Sequence, residues 1–277
     1  MGIPLGLVHT TNGRNRLRES ARRAATLATL LVGLLPSAAS AQGAVTGRVL
    51  FTERPGEQST DLGNTVIYLE PQAAAGTTVG TTVGTTAGTT AGTTAGTTAV
   101  TAAARSAAAR TAPARTNLTM NGRTFVPRVR VVTPGSRVDF PNQDPFSHNI
   151  FSTSPGAAFD LGLYPSGRSK DAIFRRAGVF PVYCNIHPRM TAFVIVVATP
   201  WTAMAGADGR WSIPNVPAGS YTLTIWHERT PVTTQPLQVA AGGNSAVDVT
   251  LDARGFRFVE HKNKFGREYD RSGRDRY

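Results

Sequence analysis

The residues whose types could do chemistry together fall in one short stretch, Val182-Tyr183-Cys184-Asn185-Ile186-His187-Pro188-Arg189-Met190. A thiol, an imidazole and a thioether follow one another as Cys-x2-His-x2-Met, between two apolar runs, VFPVY and FVIVV, that read as strands. A loop joining two strands can aim all three side chains at one point. A second imidazole, His148, stands upstream in DFPNQDPFSHNIF, beyond the end of another strand. Two imidazoles, a thiolate and a weak axial thioether are the donor types of a blue-copper electron-transfer site. The two sulfurs suit Cu(I) and the imidazoles serve both oxidation states, so such a set reorganises little when an electron moves. It also leaves no open position at the metal for a substrate. Zinc is the competing metal, but Met is a poor zinc ligand, and carboxylates or further Cys would be expected around it. Taken singly, each of these side chains would be an ordinary core or surface residue. The combination carries the reading, in a chain whose one Cys has no partner for an internal disulfide.

The elements that must position these residues are strands. Short β-branched segments bounded by Gly, Pro or Asn run over 45–51, 65–70, 124–132, 137–140, 172–174, 179–183 and 193–197. After Pro200 a turn at Asp208-Gly209 leads to further segments at 211–213, 221–227, 237–239 and 246–251. No stretch of useful length has a helical period. The expected class is therefore all-β, in sandwiches or barrels.

The stretch 73–116 interrupts this pattern with GTTV and GTTA units and then an Ala/Arg run. It has no large side chain to bury and reads as a flexible linker. Residues 1–41 have the three parts of a secretory signal peptide: Arg up to Arg23, an apolar run AATLATLLVGLL, and the small-residue end Ala39-Ser40-Ala41, with cleavage expected after Ala41. The apolar run is short for a bilayer span, although an uncleaved anchor is the alternative. Arg22-Arg23 leaves both the general and the twin-arginine export routes open. Export would place Cys184 in an oxidising compartment with no partner, as a ligand, an intermolecular bridge or a liability.

The net charge of +12 invites a nucleic-acid reading, but the charge is in the wrong place for it. Leader, linker and tail hold the excess; 42–72 plus 117–252 carry 13 basic and 12 acidic residues. A basic recognition face on a folded domain is not expected. The tail, 253–277, reads as disordered or loosely docked, open to weak contact with an anionic surface.

With these residues in place the sequence resembles a family. SHNIFS followed by VYCNIHPRM, preceded by TFVPRVRVVTPGSRVDFPNQD, is similar to the cupredoxins of the plastocyanin and amicyanin type, over about 112–198. The short Cys-x2-His-x2-Met loop is most like that of amicyanin, a type that includes proteins of methylamine utilisation. The resemblance implies a Greek-key β-sandwich in which His148, Cys184, His187 and Met190 bind one copper ion. It also implies that Asn149 hydrogen-bonds across to the Cys loop and holds the thiolate in place. Phe140, Phe151, Phe174, Phe180 and Tyr183 would then be core. The edge of His187, between Ile186 and Pro188, would face solvent and receive a redox partner, and Arg189 beside it would tune docking or be a solvated loop charge.

A second resemblance lies in MAGADGRWSIPNVPAGSYTLTIW, similar to carboxypeptidase regulatory-like and related Ig-like β-sandwich modules. In such modules the preceding strands read like VTGRVLF and TVIYLEP. The expectation is one discontinuous sandwich from 43–72 and 199–252, with linker 73–116 and cupredoxin 117–198 inserted. The alternative is that 45–71 joins the cupredoxin sheet. His227 and Glu228, after the aromatic strand, are read as an exposed strand end rather than a second metal site. No P-loop, nucleophile elbow, HExxH or dinucleotide fingerprint is present. The function expected is a non-enzymatic, exported, one-electron copper carrier. Copper delivery without a redox partner, or a structural or carbohydrate-contacting surface module, is the alternative.

Overall fold

A computed structural model describes residues 42–72 and 112–269, with Gly2. The expected leader, the repeat-bearing 73–111 and the end of the tail, 270–277, lie outside the described residues. Along the chain come β1 (Gly43–Thr52), a single 3-10 turn at Leu62–Asn64, and β2 (Val66–Pro71). Then follow β3 (Arg115–Asn117), β4 (Thr119–Asn121), β5 (Thr124–Val126), β6 (Val129–Val132), β7 (Ser136–Pro141) and β8 (His148–Ser152). Next are β9 (Phe159–Tyr164), β10 (Ser169–Phe174), β11 (Gly178–Cys184) and β12 (His187–Val196). The last six are β13 (Thr202–Met204), β14 (Arg210–Val216), β15 (Gly219–Trp226), β16 (Thr233–Val239), β17 (Asn244–Ala246) and β18 (Val249–Asp252). The all-β expectation holds throughout the described residues.

Strands β3 to β12 pair among themselves. A five-stranded sheet runs β6-β12-β11-β8-β9, a three-stranded sheet runs β10-β7-β3, and β4 with β5 makes a hairpin. Between them lies a core that includes Leu118, Phe140, Ile150, Phe174, Phe180, Val194 and the two sulfur-bearing residues, Cys184 and Met190. Of the aromatic side chains expected in the core, only Tyr183 stays partly exposed.

The remaining strands form a second pair of sheets. The ten-residue β1 pairs antiparallel with β14 on one edge and parallel with β17 and then β18 on the other. The close parallel approach explains Gly47: a Cβ there would lie 1.9 Å from the Val247 carbonyl oxygen. The facing sheet is β13-β2-β15-β16, with Leu69 opposite Leu223 and Ile67 opposite Ile225. Alternation along β2 sends Ile67 and Leu69 into the core between these sheets, with Val49, Trp211, Leu223 and Leu251. Val66 points the other way. With Trp226 it meets Val129, Ile195 and Val197, so one apolar cluster spans both sandwiches. Arg128 reinforces that junction, holding both carboxylate oxygens of Glu228 and donating to the Thr191 carbonyl (3.1 Å).

Several local expectations need correction. The run 124–132 is broken at the cis Val126–Pro127 bond into β5 and β6. Residues 115 and 116, assigned to the linker, belong to β3, where Arg115 makes a two-pronged ion pair with Asp139 (2.7 and 2.8 Å). His227 is not an exposed strand end. It is buried, its ring edge on Phe51 (4.8 Å) and its Nε2 3.3 Å from the Asp61 carbonyl, while Glu228 is taken by Arg128. In the tail, 261–269 is placed against β8, β11 and β12 by the side chains of His261 and Tyr269, whereas 253–256 holds to Thr52 of β1 and to Arg54. Among the described residues no helix is long and apolar enough to cross a membrane.

Candidate metal centre

Strand register brings the predicted donors together. β11 and β12 form a hairpin whose two connecting residues are Asn185 and Ile186, so Cys184 stands directly opposite His187. Directly opposed residues share a face of the sheet. On the other edge of β11, Ile150 is opposite Cys184, and His148, two residues along β8, is on that same face. A register shift between Tyr183 and Cys184 places Pro188, Arg189 and Met190 in a bulge of β12. The bulge re-phases the strand, and Met190 is buried in the same core cluster as Cys184.

The donor atoms converge. His148 Nδ1 and His187 Nδ1 each lie 3.4 Å from Cys184 Sγ, and all three atoms are within 4.8 Å of one another. For an ion bonded at roughly 2.0 Å to nitrogen and 2.3 Å to sulfur, that separation corresponds to an N–metal–S angle of about 104°. Each imidazole can therefore share an ion with the thiol at an ordinary coordination angle. Among the described residues this is the one cluster of three or more His, Cys, Asp or Glu groups suited to a metal.

Asp144, not singled out from the sequence, orients the first of these donors. The His148 Nε2–H donates to its carboxylate (2.8 Å), which leaves the Nδ1 lone pair facing Cys184. The same carboxylate accepts the backbone N–H groups of Gly122 (2.6 Å) and Arg123 (3.1 Å). Burial raises the Asp144 pKa, but the hydrogen bonds from His148, Arg123 and Gly122 outweigh it, and the group stays below its ordinary value. Burial likewise lowers His148, with Asp144 opposing. Burial, then the charges of His148 and Arg123, push His187 down to about 4. Both imidazoles are thus neutral near pH 7, as metal ligation requires. Burial pushes the Cys184 thiol up, while the backbone N–H groups of Ile186, Asn149 and His187 pull it back toward the thiolate. A coordinated thiol is deprotonated outright.

Asn149 reaches the Cys loop through its backbone, not its side chain. Its carbonyl accepts the Asn185 N–H (2.8 Å) and its N–H is among those facing the sulfur. The side-chain amide donates instead to Asp160 (2.6 Å). His187 is partly exposed, as are Ile186, Pro188 and Phe146 around it. The Phe146 ring lies 5.6 Å from His187 and 5.3 Å from His148, with the Arg123 guanidinium over the ring (5.0 Å). Arg189 is exposed and stacks on Phe258 of the tail (5.1 Å).

His261 and Tyr269, more than seventy residues downstream, also reach the loop. His261 stacks on Tyr183 (4.5 Å) with Nε2 3.1 Å from the His187 carbonyl, and the Tyr269 hydroxyl donates to the Cys184 carbonyl (3.2 Å). No spacing rule in the sequence connects them to the loop. Asp144 had a signal, an acidic residue four positions before the candidate His in a Pro-containing loop.

Comparison with known proteins agrees with the carboxypeptidase regulatory-like resemblance. The family model of the carboxypeptidase regulatory-like domain matches residues 188–252. The match begins in β12 and leaves out β1 and β2. No protein with a curated description matches the sequence. Among solved structures, the chain is similar to a purple cupredoxin from Nitrosopumilus maritimus at 23% identity, covering 30% of this chain and 99% of that one, with a TM-score of 0.28. It is similar to an amicyanin variant in its reduced state at 20% identity, covering 30% and 82%, with a TM-score of 0.29. It is also similar to the copper-containing nitrite reductase from Thermus scotoductus at 23% identity, covering 30% of this chain but 22% of that one, with a TM-score of 0.29.

Proposed function

We propose that this chain is an exported type 1 copper protein that carries single electrons between redox partners, with no substrate turned over at the metal. The observation that carries the reading is the convergence of two neutral imidazoles and one buried thiol on a single point within a rigid β-frame. Met190, buried in the same core cluster as Cys184, is the fourth donor in this reading. Bound copper would supply a one-electron couple between Cu(II) and Cu(I). The chain's own residues do the rest. Asp144 fixes the ring of His148, three backbone N–H groups face the sulfur, and the surrounding core excludes water from the thiolate side. A frame that already holds the donors close together favours little movement on electron transfer.

The partly exposed His187 edge, with Phe146, Ile186 and Pro188 about it, is the proposed docking face for a redox protein. The second sandwich, tied to the first through Trp226 and the Arg128–Glu228 pair, would tether or orient the carrier. No nucleic acid is assigned as a partner. Export rests on the leader 1–41 read from the sequence.

The test is the visible spectrum on adding Cu(II). An intense copper–thiolate band, bleached by ascorbate and restored by oxidant, supports the carrier. Copper bound without that band would turn the reading to delivery or storage. No copper binding would leave a structural module.

A further inference from the structure

Four polar groups of the metal loop are held from outside by one segment of the C-terminal tail. The Tyr269 hydroxyl donates to the Cys184 carbonyl (3.2 Å), and the Lys264 N–H donates to the Asn185 side-chain oxygen (2.9 Å). His261 makes two contacts, its Nε2 lying 3.1 Å from the His187 carbonyl and its backbone N–H donating to the Pro188 carbonyl (3.2 Å). The segment is itself shaped for this. Asn263 Oδ1 accepts the N–H groups of Phe265 and Arg267 (both 3.0 Å), and the Asn263 N–H donates to the Arg267 carbonyl (2.9 Å). That tight turn returns Tyr269 to the edge of the His261 ring (5.5 Å between centroids, 85° between planes). Lys264 Nζ fastens the turn to Asp160 (2.6 Å), the carboxylate that also takes the Asn149 side chain.

We propose that 256–269 is a strap that pre-forms the metal loop, with Tyr269 and His261 as its positioning residues. The proposal rests on the copper reading for its purpose, though not for its geometry. A two-residue hairpin connection followed by a bulge has few ladder hydrogen bonds of its own, so its carbonyls need partners from elsewhere. The strap supplies them at the Cys and His positions, so the loop does not have to be ordered when the metal arrives. A segment that served only to cover apolar surface would have no reason to address these particular carbonyls.

The experiment uses the full chain carrying Tyr269→Phe, His261→Phe and both together. Each keeps a ring in place and removes one hydrogen bond to the loop, worth about fivefold in an equilibrium constant. Hydrogen exchange in the metal-free protein decides the matter. In the double variant, amides within 184–188 should exchange at least about fivefold faster, while those of β15 are unchanged. Unchanged exchange within 184–188, or an equal increase everywhere, overturns the strap. Where the parent chain gives the blue band, the double variant should also bind Cu(II) roughly twenty-five-fold more weakly and shift that band. An unaltered band and affinity overturn the strap even if the melting temperature falls. A parent chain without the band refutes the copper reading alone, and the exchange result still decides the strap.

Discussion

Asp144→Asn is the most exacting test of the metal centre, because it changes one charge and almost no volume. The carboxylate serves three donors at once: His148 Nε2–H at 2.8 Å, Gly122 N–H at 2.6 Å and Arg123 N–H at 3.1 Å. An amide offers one oxygen and one NH2 group, so it cannot repeat that pattern. If the oxygen stays with Gly122, the NH2 faces Nε2 and drives the ring proton to Nδ1, the atom aimed at Cys184. If the oxygen stays with His148, the Gly122 N–H faces an NH2. A hydrogen bond to a charged group is worth about 1.5–3 kcal/mol. Loss of an outer partner of a metal-ligating His typically costs about 10–100-fold in metal affinity, which is about 1.4–2.7 kcal/mol. The two magnitudes agree, and the expectation is a Cu(II) dissociation constant raised by that factor at pH 7. Competition against a chelator of known affinity measures it. Asp139→Asn, in the more exposed pair with Arg115, is the control and should leave affinity within about twofold. If Asp144→Asn binds as tightly as the parent and gives the same band, the ring of His148 is not held as argued.

Four further outcomes are expected. Cys184→Ser should abolish the intense copper band, and its survival would remove the thiolate from the centre. Met190→Leu should retain copper but raise the reduction potential, read by voltammetry; an unchanged potential would exclude the thioether as a donor. Leu69→Ala, opposite Leu223 in the second sandwich, should cost about 3 kcal/mol, or roughly 6–12 °C in melting temperature for a unit of this size; an effect below about 0.5 kcal/mol would mean that 43–71 does not complete that core. Glu53 is held below its ordinary value chiefly by the hydrogen bond from Arg229 (2.7 Å), so its contribution is present above pH 4.5 and fades as pH falls through the folded-state value. Glu53→Gln should therefore flatten the loss of melting temperature on acidification below pH 4.5, and an unaltered slope would remove Glu53 from the account.

The fold class and the donor cluster were legible because both depend on strand geometry, whose period is short. Cys184 and His187 flank a two-residue turn, and a hairpin of that length puts its flanking residues opposite one another whatever else the chain does. His148 needed one further pairing, Ile150 with Cys184, to fall on the same face. The alternation in VIYLEP similarly marks Ile67 and Leu69 as one face and Val66 as the other. Which sandwich would receive each face depends on pairing with β15, and that pairing crosses about 150 residues. Pairing at such range is set by packing that no local pattern encodes. The same limit explains the tail. Its charge density reads as unstructured, yet the side chains of His261 and Tyr269 and the backbone N–H of Lys264 find specific partners on the loop.

The supports of the centre come from separate parts of the chain, and this bears on how it would fail. His148 is fixed by Asp144 from the connection between β7 and β8; Cys184 by backbone N–H groups of β8 and its own hairpin; and the His187 carbonyl by His261 of the tail. Asp144 serves only His148, whereas the tail reaches both Cys184 and His187, so losing Asp144 should loosen one donor and leave the other two in place. Asp144→Asn and Tyr269→Phe therefore act on different sides of the same ion. If the frame is as rigid as its β-register implies, their effects on copper affinity should combine to within about 0.5 kcal/mol of the sum of the singles. A much smaller combined effect would mean that the loop collapses as a unit once either support is lost. The centre would then be held by the metal rather than prepared for it.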